Sequence, residues 1–133
     1  MVDGGGSTRV AIFGDHMAQL AMDHGWQGLI IHGAVRDVDR LRTLDLAVLA
    51  LGHVPQRGGK SGLGQRGVEV RFGDATFTPG CFACLDGDGV VVLSRGCGHR
   101  FASGTSSATL LLPTAVFSVL HRPVDSAARC CRI

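Results

Sequence analysis

Asp15, Arg36 and Asp37 are the residues of this chain whose types and placement could do chemistry. Asp15 comes just after the apolar run Arg9-Val10-Ala11-Ile12-Phe13. Arg36-Asp37 comes shortly after a second run, Gly28-Leu29-Ile30-Ile31-His32-Gly33. Both runs have the length of a strand. Ligands of α/β sheets gather beyond the carboxyl ends of strands, so two such ends would bring the three residues to one crevice. A carboxylate suits a hard divalent ion such as Mg²⁺. A neighbouring guanidinium offers a planar fork of donors to a carboxylate or an enolate oxygen. Residues 14–17 open a helix after a strand, and its free backbone N–H groups make a seat for an anion. Plainer readings fit the same positions. An Asp at a helix start is commonly a cap, and an Arg-Asp pair in a loop is commonly a solvated surface pair. Position alone leaves both open.

The elements that must hold these residues are marked by apolar runs and breaks. Gly14-Asp15 ends the first run, and Met17, Leu20 and Ala21 then fall at helical spacing. Gly25 is placed to end that helix as a C-cap. The second run is continuously apolar, which suits a strand covered on both faces. Residues 37–44 read as a short polar turn or helix, and 47–51 as a third strand. This order predicts an α/β unit with right-handed crossovers. Residues 52–67 form a glycine-rich loop carrying Arg57, Lys60 and Arg66, of a length that is commonly functional or mobile. Residues 68–72 alternate, Gly73-Asp74 turns, and 75–77 returns, which predicts a hairpin. Residues 90–93 read as a last buried strand. From 95 to 133 periodicity is weak, and only 108–120 is patterned to pack. The expected organisation is therefore one domain over 1–94 and a poorly specified tail over 95–133.

Bulk properties narrow the function classes. A net charge of +2 and the absence of Tyr argue against a nucleic-acid partner or a base-stacking platform. No apolar stretch is long enough to span a membrane. Five Cys, an odd count without a signal peptide ahead of it, favour free thiols over a disulfide framework and a cytoplasmic setting.

Asp15, twenty intervening residues and Arg36-Asp37 together resemble the signature of the 4-hydroxy-4-methyl-2-oxoglutarate aldolases, grouped with the regulators of ribonuclease E activity. The surroundings agree: Asp3-Gly4-Gly5-Gly6-Ser7, Gly25-Trp26-Gln27-Gly28, Gly33-Ala34-Val35, Phe72-Gly73, Pro79-Gly80 and Asp86-Gly87-Asp88-Gly89. The likeness covers residues 2–94. It implies a β/β/α sandwich of the ribonuclease-regulator-like (swivelling-domain-like) type, incomplete at the N-terminus, and a homotrimer. It also implies a class II aldolase that releases pyruvate from a 2-keto acid and decarboxylates oxaloacetate. By the same resemblance Asp37 would bind the divalent cation, Mg²⁺ or Mn²⁺, mostly through water. Arg36 and Asp15 would be catalytic, and Gly14, Asp15, His16, Met17 and Arg36 would contact substrate. No Schiff-base lysine is needed. The ribonuclease-binding regulators lack the acidic residue after the arginine, so Asp37 favours the enzyme, with a non-catalytic regulator as the alternative. Family members carry elements before the Asp-Gly-Gly-Gly-Ser turn. Residues 95–133 resemble nothing in the family, which fits a frame-shifted or mis-set gene end.

Other motifs are weaker. Cys81, Cys84, Cys97 and His99 have the composition of a zinc site, but packed thiols are the simpler reading. Gly59-Lys60-Ser61 ends like a phosphate-binding loop, yet Val54 stands where the first glycine belongs. Gly62-Leu63-Gly64-Gln65-Arg66-Gly67 has dinucleotide spacing but follows no strand. Residues 52–67 then read as a flexible loop over or near the crevice.

Overall fold

Alternating apolar runs and a helix produce parallel strands in the first half of the chain. In order, the elements are β1 (Val2–Asp3), β2 (Ala11–Phe13), α1 (Asp15–Asp23), β3 (Gly28–Val35), α2 (Val38–Leu41) and β4 (Ala47–His53). There follow β5 (Val70–Phe72), β6 (Ala75–Phe77), β7 (Phe82–Leu85), β8 (Gly89–Leu93), β9 (Ala108–Pro113), β10 (Ser118–Val119) and β11 (Arg129–Arg132). This computed structural model describes residues 1–85, 89–93, 108–113, 118–119 and 129–132. The chain divides into two units, Met1–Gly64 with Ala115–Val124, and Gln65–Thr114 with Asp125–Ile133.

In the first unit β3 is the central strand. β1 and β2 lie in tandem along one of its edges, through Val2↔Ile31 and Ala11↔Ala34. β4 runs parallel along the other, through Ile31↔Ala50, and β10 pairs antiparallel with β4. Side chains alternate across this sheet. Leu29, Ile31, Val35, Val48 and Ala50 join Ala18 of α1 and Leu41 of α2 in one core. Ile30, Ala34 and Leu49 belong to the opposite face and are also buried, so the uninterrupted apolar run is that of a sheet covered on both faces.

Helix α1 sits on this core by its smallest side chain. Ala18 is fully buried, whereas Met17 and Leu20 are 50% and 46% exposed. Of the residues the sequence set at helical spacing, Met17, Leu20 and Ala21, only Ala21 packs on the core; the helix is rotated so that Ala18, Ala21 and Met22 face the sheet, and close packing on a β-sheet favours the smaller surface. Its end matches expectation. Gly25 has φ +76, its N–H donates to Met22 O at 2.8 Å, and Trp26 N–H donates to Ala21 O at 2.9 Å. That pair of bonds is the Schellman arrangement.

β1, just ahead of the Asp3-Gly4-Gly5-Gly6-Ser7 turn, is not among the strands expected from the sequence. The turn is stitched to β3: Gly4 and Gly6 N–H both donate to His32 O, at 3.0 and 3.1 Å. Asp3 Oδ1 meets His32 Nδ1 at 2.8 Å and accepts Gly5 N–H at 2.9 Å. Together the imidazole and the amide hold the Asp3 carboxyl below its usual range.

The second unit contains the expected hairpin. β5 and β6 pair as Val70↔Phe77 and Phe72↔Ala75. Gly73 (φ 55) and Asp74 (φ 61) both have positive φ, as a two-residue type I′ turn requires. The rings of Phe72 and Phe77 pack with centroids 4.8 Å apart. A four-stranded antiparallel sheet follows in the order β11-β7-β8-β9. Cys81 is a free, buried thiol. Cys84 is disulfide-bonded, which corrects the expectation of thiols at both positions. Three strands of the segment read as a poorly specified tail are described; the rest of that segment, including Cys97, His99 and His121, lies outside the described residues. Among the described residues, no helix is long and apolar enough to cross a membrane.

A candidate active site beside the Arg36–Asp37 pair

The last rung of the β2–β3 ladder builds the site. Arg36 N–H donates to Phe13 O at 2.9 Å, which brings the chain leaving β3 alongside Gly14, where the chain leaves β2. Asp37 then adopts the left-handed conformation, φ 58 and ψ 39. Non-glycine residues rarely take it, and Asp and Asn tolerate it best. The Asp37 carbonyl accepts Leu41 N–H at 2.9 Å and so starts α2. The same turn sends its carboxylate back over the start of α1. Asp37 Oδ2 is 3.3 Å from Arg36 Nε and 3.4 Å from the Asp15 nitrogen.

Gly14 makes room for this pair. A Cβ there would stand 2.7 Å from Asp37 Oδ2 and 3.0 Å from both Arg36 Cγ and Nε. Its φ of −158 is ordinary extended backbone, so the need for glycine comes from close approach alone. Gly14, not Asp15, is the N-cap of α1. Asp15 stands in the first turn with Oδ1 accepting His16 N–H at 2.6 Å. Both carboxylates therefore lie against the positive end of the helix, where negative charge is stabilised. The Arg36 and Asp37 side chains are 36% and 32% exposed, enough for a solute to reach either.

A cleft of about 600 Å³ opens on this corner, within the range of small-molecule sites. Gly14, His16, Met17 and Arg36 line it, with Ile12 and Leu20. Four of the six residues expected to act on substrate or metal thus share one wall. Asp15 and Asp37 are not part of that wall, although Asp37 touches Arg36, which is. Arg57, Gly58, Gly59 and Lys60 also line it; they belong to the loop that the sequence sets over or near the crevice, without a role for these residues. Backbone bonds hold that segment against β2: Ala11 N–H to Gln56 O at 2.7 Å and Gly58 N–H to Ala11 O at 2.9 Å. Its signal in the sequence was two cations in a glycine-rich stretch following the third strand.

Among the described residues, no three His, Cys, Asp or Glu side chains converge as a metal cage. Asp37 offers one hard oxygen ligand at an accessible position. That donor set fits Mg²⁺, which keeps several waters and takes one or two carboxylates.

Comparisons with known proteins agree on the family. The RraA-like model, described as Aldolase/RraA, matches residues 1–92. A protein of Pseudomonas syringae pv. tomato strain DC3000 named "Putative 4-hydroxy-4-methyl-2-oxoglutarate aldolase" is 50% identical over 92 residues, which is 69% of this chain and 57% of that protein. The chain thus spans little more than half the length of that relative. Among solved structures, the RNA-processing inhibitor RraA of Thermus thermophilis aligns with TM-score 0.67 and 36% identity, over 73% of this chain and 63% of that one. A Geobacillus kaustophilus HTA426 protein titled S-adenosylmethionine:2-dimethylmenaquinone methyltransferase aligns with TM-score 0.66 and 43% identity, over 68% and 57%. With a mixed α/β fold matching these structures and a family model covering residues 1–92, the chain belongs to the RraA-like (Aldolase/RraA) family.

Proposed function

We propose that this chain carries the site of a divalent-metal-dependent aldolase that releases pyruvate from a 4-hydroxy-2-oxo acid such as 4-hydroxy-4-methyl-2-oxoglutarate, with oxaloacetate decarboxylation at the same place. The observation that carries this reading is the packing of Arg36 and Asp37 against Gly14, with Arg36 and Gly14 lining a cleft roomy enough for such an acid.

Arg36 binds the oxygens of the 2-oxo acid and stabilises the negative charge that develops as the carbon–carbon bond breaks. The first turn of α1, from Gly14 to Met17, orients the acid through backbone N–H groups and the helix dipole. Met17, Ile12 and Leu20 supply apolar surface to the cleft. Asp37 would hold a Mg²⁺ or Mn²⁺ ion, which would supply Lewis-acid stabilisation of the developing negative charge. In aldol cleavage the 4-hydroxyl gives up its proton to water, C4 becomes the carbonyl of the departing product, and the electron pair of the broken C3–C4 bond passes to the enolate of pyruvate, which then takes up a proton to give pyruvate. With oxaloacetate the departing fragment is carbon dioxide and the enolate is the same.

The test is pyruvate release from oxaloacetate with and without Mg²⁺, for the wild type, Asp37→Ala and Arg36→Lys. Mg²⁺-dependent turnover that falls at least ~100-fold in both variants supports the reading. Folded protein without turnover, or turnover indifferent to Mg²⁺, rejects it. The likeness to the Thermus RNA-processing inhibitor favours a second reading, a non-catalytic module that binds an RNA-processing enzyme. That reading expects tight association with such an enzyme, undisturbed by Asp37→Ala.

A further inference from the structure

An enolate of pyruvate must gain a proton at C3 to become pyruvate, and a group that gives it must stand within hydrogen-bond reach of that carbon. Few side chains of the cleft could do so. Among the described residues, those that line it and carry exchangeable protons are His16, Arg36, Arg57 and Lys60. A guanidinium does not lose its proton in proteins. A solvated ammonium keeps its own to well above neutral pH, and Lys60 is exposed. Of these side-chain types, an imidazole alone both holds and releases a proton near neutrality. His16 combines a fixed backbone with a free ring. Its N–H donates to Asp15 Oδ1 at 2.6 Å. Two residues on, Ala18 is fully buried on the core, and its N–H donates to Gly14 O at 3.0 Å. Among the described residues, no hydrogen bond or ion pair engages the exposed His16 imidazole. His24 and His32 differ: Nδ1 of the first lies 2.7 Å from Leu20 O, and Nδ1 of the second lies 2.8 Å from Asp3 Oδ1. The cleft is thus lined by one uncommitted imidazole, on the helix turn that begins at Gly14, where Arg36 packs.

We propose that His16 is the proton donor that converts the enolate to pyruvate, a role beyond the substrate contact that the resemblance implies for it. This role rests on the aldolase reading above, with the enolate oxygens at Arg36. C3 of the enolate takes the proton of the His16 imidazolium. The N–H bond breaks with its electron pair left on nitrogen, the C2–C3 π pair becomes the new C–H bond, and the 2-keto group is restored. Water then returns a proton to the imidazole. In the reverse direction the neutral imidazole removes a methyl proton from bound pyruvate, because the group that gives a proton in one direction takes it in the other. A positioned acid or base of this kind contributes ~100- to 10,000-fold to the step it serves.

The experiment compares two rates in the full chain supplied with Mg²⁺. One is the loss of methyl protons from pyruvate in D₂O, followed by NMR. The other is the loss of oxaloacetate, followed by absorbance. Exchange must pass through the proton transfer. Decarboxylation need not, because enolpyruvate that leaves unprotonated ketonises in water. His16→Gln should slow exchange at least ~100-fold and oxaloacetate loss by no more than ~10-fold. Free imidazole should restore part of the exchange in His16→Ala and none in Arg36→Lys, which separates a missing proton carrier from a missing contact. The side chain is exposed, and an unchanged melting temperature reports that the variants fold. Exchange at the wild-type rate in His16→Gln, or an equal fall in both rates, overturns the role of His16. In either case Mg²⁺-dependent loss of oxaloacetate in the wild type leaves the aldolase reading standing. Folded wild type that neither exchanges nor decarboxylates rejects both.

Discussion

Asp37 Oδ2 lies 3.4 Å from the backbone nitrogen of Asp15, twenty-two positions earlier in the chain. The contact joins the ends of two adjacent parallel strands, and each partner depends on the other's backbone. Asp37 reaches back because it sits in the left-handed region. Asp15 is reachable because Gly14, before it, has no side chain.

Gly14→Ala should damage the site more than the fold. The added methyl would meet Asp37 Oδ2 at 2.7 Å and Arg36 at 3.0 Å, and those side chains must swing aside. A shift of about 1 Å in a positioning group costs up to ~100-fold in rate. The backbone at Gly14 suits any residue, so the midpoint of thermal unfolding should change little. Steady-state pyruvate release alongside a melting curve checks both halves.

Substitutions of Asp37 should separate charge from conformation. Asn tolerates the left-handed region nearly as well as Asp, whereas Ala pays roughly 1–2 kcal/mol there. Asp37→Asn should therefore unfold in urea within about 0.5 kcal/mol of the wild type. Asp37→Ala should be destabilised by about 1–2 kcal/mol. Both should lose metal-dependent activity, because neither carries a carboxylate. Equal stabilities would contradict the strained geometry.

The Asp3–His32 contact should make stability depend on pH in the acid range. The imidazole of His32, followed by the Gly5 amide, lowers the Asp3 carboxyl from its ordinary value of 3.8. A lowered carboxyl contributes stability that is fully present above the unfolded value and is lost as pH falls through the folded one. With Asp3 37% exposed, solvent screening limits the contribution to a few tenths of a kcal/mol. The stability gap between wild type and Asp3→Asn should then be widest above about pH 5 and close below pH 3. A gap that is constant from pH 7 to 2.5 would show that the pair contributes nothing through charge.

Much of this arrangement was legible in the sequence. The runs at 9–13, 28–33 and 47–51 locate β2, β3 and β4, and Gly25 marks the end of α1, because apolar period and cap chemistry are local. The Gly73-Asp74 turn specifies its hairpin for the same reason. The rotation of α1 was not legible: Ala18 is small enough to pack against β3 and β4, and no count of apolar residues favours it over Met17 and Leu20. β1 was missed because two residues beside a glycine turn carry no periodicity, and its pairing partner lies about thirty positions away. Strand ends announced Gly14, Arg36 and Asp37. The loop over residues 52–67 was legible as lying near the crevice, but which of its residues line the cleft was not, because backbone bonds from Gln56 and Gly58 to Ala11 set that.

The central claim is that Arg36 and Asp37 together stabilise the enolate of pyruvate, and the loss of methyl protons from pyruvate in D₂O measures it directly by NMR. The account predicts exchange that requires Mg²⁺ or Mn²⁺ and drops at least ~100-fold in Arg36→Lys and Asp37→Asn. Exchange at wild-type rate in either variant, or none in folded wild-type protein supplied with metal, would contradict it.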